Sequence, residues 1–249
     1  MRNNKYFEEI KYLKKYLIIL ILFILSGYLL CSFVDSDTMP NIAEENNVLE
    51  WMTALLFLTA SIIFIMLFIK SRNYFSLLLG VIFFMGFGEE IAWGQYLFNL
   101  KVPERIAEIN SQNELTIHNL NIFHSHNSEG QYKSGLHKLL TINFLAKVFF
   151  VLWGVVLPFC TYHLRFFSSI TTKIKLPIPP ITMGFFFIIN WFIIKVILFI
   201  TTDGRIEEFD YAINEIFETS EAFISVLISL YFYNNRNVII WGKDVKQII

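Results

Sequence analysis

Apolar residues in this chain fall in long runs rather than at strand or amphipathic-helix spacing, at about 16–34, 48–69, 74–99, 144–164, 181–201 and 212–233. Wound as a helix, roughly 20 apolar residues match the hydrocarbon thickness of a bilayer. The pattern therefore predicts an all-α, polytopic integral membrane bundle of about six transmembrane helices, forming a single domain over 1–249. The sixth run is the least apolar, because its first third carries Glu215, Glu218 and Glu221. "PIPP" at Pro177–Pro180 marks the loop before the fifth run, and a long polar loop, 100–143, separates the third from the fourth. The basic start "MRNNKYFEEIKYLKKY" ahead of Leu17–Val34 resembles a secretory leader. That run is longer than a leader's apolar segment and has no small-x-small cleavage site, so it reads as a retained first span.

Charge orients the spans. Lysine and arginine concentrate in short cytoplasmic segments of membrane proteins. Here the N-terminal arm (Arg2, Lys5, Lys11, Lys14, Lys15), the turn with Lys70 and Arg72, the segment with Arg165, Lys173 and Lys175, and the tail with Arg236, Lys243 and Lys246 all fall on one side. This predicts cytoplasmic N- and C-termini. The segment "DSDTMPNIAEENN", the loop 100–143 and "TTDGRIEEFD" then face the extracytoplasmic side of the cell membrane. A net charge of −1 and the lack of any basic–aromatic module argue against nucleic acid as a partner. The two cysteines, Cys31 and Cys160, are too few for a disulfide framework or a thiolate metal site.

Ionisable residues inside the apolar runs carry the functional signal. From the helical rise, Glu89 lies about 22 Å into the third run, Lys195 about 21 Å into the fifth, and Glu221 and Glu218 about 18 and 22 Å into the sixth counted back from Tyr233. Glu50 sits one turn inside the outer end of the second run. Intramembrane charges face the bundle interior or a watery cavity and pair with one another. Four helices bringing such groups to one level predict a polar pocket open to the outer face, with Lys195 as the natural partner of a glutamate and the surplus carboxylates protonated, hydrated or bound to a cation.

Local spacing assigns roles. Adjacent glutamates such as Glu89 and Glu90 point about 100° apart on a helix. Gly86, Gly88 and Gly94 around them permit close helix approach or a break. Trp93 and Gln95 follow directly and are expected to line the site with Lys195 and Glu50 as substrate-binding groups, although an interfacial anchor explains the tryptophan equally well. Glu114 and His118 are four apart and aim at one ligand if their segment is helical, which makes Glu114, His118 and Glu221 candidate metal ligands and a divalent metal ion a candidate cofactor. The catalytic candidates are Glu89, Glu90, His118 and Glu218. Glu207, Glu208 and Asp210 suit a helix N-terminus and need no functional role.

The double glutamate of "EEIAWGQ" is similar to the EExxxR motif of intramembrane CAAX-type proteases. The arginine position is Gly94, however, and no FxxxH follows in a later span, so the resemblance ends at two residues and assigns no family. The residues themselves lead to a membrane-embedded enzyme that hydrolyses or transfers groups on a lipid or lipid-linked substrate, with the membrane lipid as its partner. A proton- or cation-coupled transporter or channel uses the same groups, but would need them through the full depth, and the inner halves of the runs are nearly free of charge. A receptor or partner subunit that only binds is the third reading.

Overall fold

The computed structural model describes residues 2–33, 48–124, 133–200 and 207–234. The acidic stretches 35–47 and 201–206, His126 and the basic tail beyond 234 lie outside the described residues. The described chain is helical, with one isolated antiparallel bridge between Asn110 and Leu120. In order, its helices are α1 (Arg2–Phe33), α2 (Val48–Ser71), α3 (Tyr74–Glu90), the short α4 (Gln95–Phe98) and α5 (Glu104–Ala107), α6 (Ile142–His163), α7 (Arg165–Ile174), α8 (Ile181–Ile200) and α9 (Glu207–Asn234). Four of them, α2, α6, α8 and α9, are long and apolar enough to cross a membrane, and the bent pair α3–α4 makes a fifth.

Helix α9 is the central post. Of its most apolar stretch 72% is buried, against 22–33% in the three other long spans. It packs on α1, α2 and α8, while α2 also runs along α3. This explains the low apolarity of the sixth run: a helix screened from lipid by its neighbours can carry polar residues if they find partners. Thr219 and Thr53 share a hydrogen bond of 2.7 Å between α9 and α2, and Ser225 donates to the Glu221 carbonyl. Tyr28 of α1 donates to Asn190 of α8 (2.9 Å), whose amide donates to the Phe217 carbonyl of α9 (3.0 Å). One chain of side chains thus ties three helices.

Small residues set the closest crossings. A Cβ on Gly184 of α8 would collide with the Gly154 carbonyl of α6. Around Gly154 the helix widens into a π turn, Leu152–Val156, just ahead of Pro158, which has no N–H to donate.

The two ends of the bundle differ. At one, Lys70 donates to the Tyr233 hydroxyl, Asn234 donates to Tyr16, and Asn73 caps α3 through its carbonyl while its amide donates to the Lys175 carbonyl at 2.6 Å. This end gathers the basic residues of the turn 70–72 and of α7. The other end holds the loop segments 100–124 and 133–141 and a large cavity. An aromatic layer separates the two: Phe83 and Phe149 floor the cavity, and Phe64, Trp153 and Phe232 pack beneath them, with Phe64 and Phe83 stacked at 5.7 Å and Phe64 and Phe232 fully buried.

Candidate functional site

The site begins where α3 breaks. The chain turns by 67° between Tyr74–Glu90 and Ala92–Phe98. Ala92, Trp93 and Gly94 all take positive φ (45°, 52° and 80°), a left-handed turn that only Gly94 adopts without steric cost. The turn folds the Trp93 indole back over the helix it has just left. Its ring covers Gly88, where a Cβ would come within 2.8 Å of it, and its N–H donates to Glu89 Oε1 at 2.7 Å. Gly88 therefore serves the tryptophan rather than a helix crossing.

Glu89 is fully engaged. Besides Trp93, its Oε2 accepts the backbone N–H groups of Ile117 (2.7 Å) and His118 (2.9 Å) and lies 3.2 Å from His118 Nδ1. The carboxylate is a latch that holds the loop onto the broken helix. Two further latches act beside it. Gln95 Oε1 accepts the Leu115 N–H (2.7 Å), and Glu114 accepts from the Tyr96 hydroxyl and from the Asn119 amide (2.9 Å). The loop itself closes on Asn110, whose side-chain carbonyl accepts from the N–H groups of Gln112 and Glu114 and whose amide donates to the Thr116 carbonyl. This is the asparagine turn chemistry that substitutes for regular secondary structure.

Under this loop lies a cavity of about 840 Å³. Glu50 and Phe57 of α2, Phe83, Glu89 and Glu90 of α3, Asn143, Lys147 and Phe149 of α6, and Glu215, Phe217, Glu218 and Glu221 of α9 line it, with Tyr96, Glu114, His118, Asn119 and His124 above. Glu90 points away from Glu89, as the helical offset requires, and is near enough to Glu218, Glu215 and Glu50 for their charges to interact. Among the described residues the carboxylates of Glu90, Glu218 and Glu221 accept no hydrogen bond; the charge of Lys147 reaches Glu218 and Glu221, and that of His118 reaches Glu218. His118 makes its Nδ1 contact to Glu89 and no bond through Nε2. Burial opposes its protonation, but the hydrogen bond and charge of Glu89, with Glu218 and Glu114 adding to them, outweigh that and raise its pKa above the ordinary histidine value.

The structure brings Glu50, Glu89, Glu90, Glu114, His118, Glu218 and Glu221 to this one cavity and leaves three expected residues out. Lys195 is exposed on α8, a helix that does not reach the cavity, so it pairs with no glutamate there. Its place is taken by Lys147, one helical turn into the fourth apolar run and detectable by the same depth reasoning. Trp93 and Gln95 bind the loop and the helix and do not line the cavity. Glu114 and His118 do not share a ligand through helical spacing, because their segment is built of bends and turns and each has its own partner. Among the described residues no three His, Cys, Asp or Glu side chains are grouped as a metal site would require, and Glu114 and His118 are each engaged by partners of their own. Glu215, Tyr96 and Asn119 join the lining unannounced by any motif. No protein-family model, curated protein or solved structure matches the chain, so its functional reading rests on the chemistry of this cavity.

Proposed function

We propose that this chain is a membrane-embedded enzyme that hydrolyses or transfers a group on a lipid or lipid-linked substrate within the carboxylate–histidine cavity. In this reading α1 supplies a sixth span, both termini are cytoplasmic, and the cavity opens to the extracytoplasmic side of the cell membrane, following the segregation of basic residues to the opposite end.

The observation that carries the reading is the Glu89–His118 pair. A carboxylate on Nδ1 fixes the ring's orientation and favours the protonated imidazole, leaving Nε2 as a proton donor on the cavity side. Glu90 and Glu218, free of hydrogen-bond donors, act as the bases that accept a proton from water or an acceptor hydroxyl. An acid and a base lining one cavity are the parts of a hydrolytic or transfer reaction. The oxygen donors of Glu90, Glu218 and Glu221 are the kind hard divalent cations prefer, but they are not gathered around one point, and no step is routed through a metal. The apolar chain of a lipid finds Phe57, Phe149 and Phe150 among the lining. The aromatic layer beneath the cavity supports a one-sided pocket over a conducting path.

The test uses the purified full chain in lipid nanodiscs. Release of headgroup or acyl products from a total lipid extract is followed by mass spectrometry, together with the metal content of the preparation. Turnover should fall about 10²–10⁴-fold in Glu90→Gln or Glu218→Gln, the usual cost of losing a general acid or base. Proton or cation flux in liposomes without any turnover would sink the reading in favour of transport; binding without flux or turnover would leave a receptor.

A further inference from the structure

We infer that the cavity is built to take an amphiphile bearing a primary ammonium group, seated on Glu221, Glu218 and Glu90 with its apolar chain along the phenylalanine wall. This names the substrate or ligand class of the proposed site and rests on the reading that the site serves lipid-like molecules, although binding is measurable without turnover.

Charge balance comes first. Among the described residues seven glutamates line the cavity against a single lysine, Lys147, and the imidazolium of His118, which Glu89 already holds. Glu89 and Glu114 are neutralised in effect by hydrogen bonds from the loop, Trp93 and Tyr96. Glu221 is different. It is only 7% exposed, lines the cavity, and its side-chain carboxylate accepts no hydrogen bond among the described residues. Its carboxylate meets the cavity rather than a protein donor, and polar groups this deep in a fold are almost always satisfied, so it marks a place for a donor that comes from elsewhere. Glu218 lies one turn before it on the same face of α9, and Glu90 faces Glu218 from α3.

The kind of donor follows from the placement. A hard metal ion needs oxygens that converge on one point, and these do not. A primary ammonium offers three diverging N–H donors, which suits acceptors spread over two helices. Beside the carboxylates stand aromatic faces: the Lys147 ammonium already sits 5.8 Å from the centre of the Phe217 ring, a contact a ligand cation can share. Another part of the lining, with Phe57, Phe83, Phe149, Phe150 and Met85, is apolar and accepts a hydrocarbon chain. An anionic head would meet the glutamate surplus and be repelled.

The experiment measures binding of dodecylamine, dodecanol and dodecanoate to the purified chain in a neutral maltoside detergent. Wild-type protein should bind the amine about tenfold or more tightly than the alcohol, as a charge-assisted contact provides, and the carboxylate least of all. Glu218→Gln with Glu221→Gln should abolish the preference. Lys147→Gln, at an exposed position, should strengthen amine binding by removing the competing cation, with its unfolding midpoint measured alongside; a purely structural lysine would not do so. Equal binding of amine and alcohol by the wild type, or no change in amine binding in Lys147→Gln, overturns the inference. Nanodiscs of phosphatidylethanolamine or phosphatidylglycerol, and free ethanolamine as competitor, tell a lipid amine from a soluble one. Amine binding without lipid turnover would retain the ammonium site and discard the enzyme; turnover of lipids lacking an amine, with no amine preference, would do the reverse.

Discussion

At the scale of single residues the double glutamate divides its labour. Glu89 spends both oxygens on Trp93, Ile117 and His118, whereas Glu90 is left to the cavity. The offset between neighbouring helical positions made that split legible in the chain; which of the two would be latched was not, since the donors come from 28 and 29 residues away. Gly88 is the residue on which the latch turns. Gly88→Ala places a methyl group into the Trp93 ring, and the chain should lose about 1–3 kcal/mol of stability, the usual cost of overpacking. A red-shifted tryptophan emission and a lower unfolding midpoint in detergent would report it. His118 adds a pH dependence. Its pKa is raised in the folded protein, so its ionic contribution is fully present below the unfolded value of about 6.5 and is lost as pH rises through the folded value. Limited proteolysis of the loop 112–124 should therefore quicken with rising pH across that interval, after correction for the protease's own profile, and His118→Asn should flatten the change.

At the scale of elements, the apolar runs located the apolar stretches of α2, α6, α8 and α9 to within a few residues, because a span needs only length and apolarity, both local properties, whereas α1 begins at Arg2, well before the run at 16–34. The third run departed: the expected continuous stretch 74–99 is Tyr74–Glu90, a left-handed turn and Gln95–Phe98. Glycine at 94 hinted at a break, but Ala92 and Trp93 at positive φ accompany the bond of Trp93 back to Glu89 and of Gln95 to the loop, which no propensity announces. The segment 110–120 departed as well, folding on Asn110 instead of forming the helix that would have paired Glu114 with His118. The crossing of α6 and α8 offers the cleanest test of packing. Gly184→Ala drives a methyl group into the Gly154 carbonyl, and thermal unfolding in detergent should show a loss of about 3 kcal/mol, at the upper end of overpacking costs. The same substitution at Gly135, where a Cβ meets nothing within 4 Å, tests backbone strain alone and should cost about 1–2 kcal/mol.

At the scale of the whole molecule, the acidic end with its cavity and loop is opposed to the basic end by the aromatic layer around Phe64. Topology follows from that polarity. With Cys31 and Cys160 replaced, an impermeant thiol reagent added to intact cells should label Lys101→Cys near the loop and leave Lys173→Cys of α7 unlabelled until the membrane is opened. The opposite pattern would invert the bundle and place the cavity in the cytoplasm. Composition and the apolar runs alone determined that this is a helical membrane protein, that charge is sorted between its two ends, and that carboxylates from several helices share a level, since each of these depends only on position along the chain and the fixed rise of a helix. Tertiary structure decided which groups meet. It buried α9 so that Glu215, Glu218 and Glu221 face inward, left Lys195 on the outer surface of α8, and put Lys147 across from the glutamates. Depth along a helix is a property of the sequence, but the direction a side chain faces depends on which neighbours its helix finds.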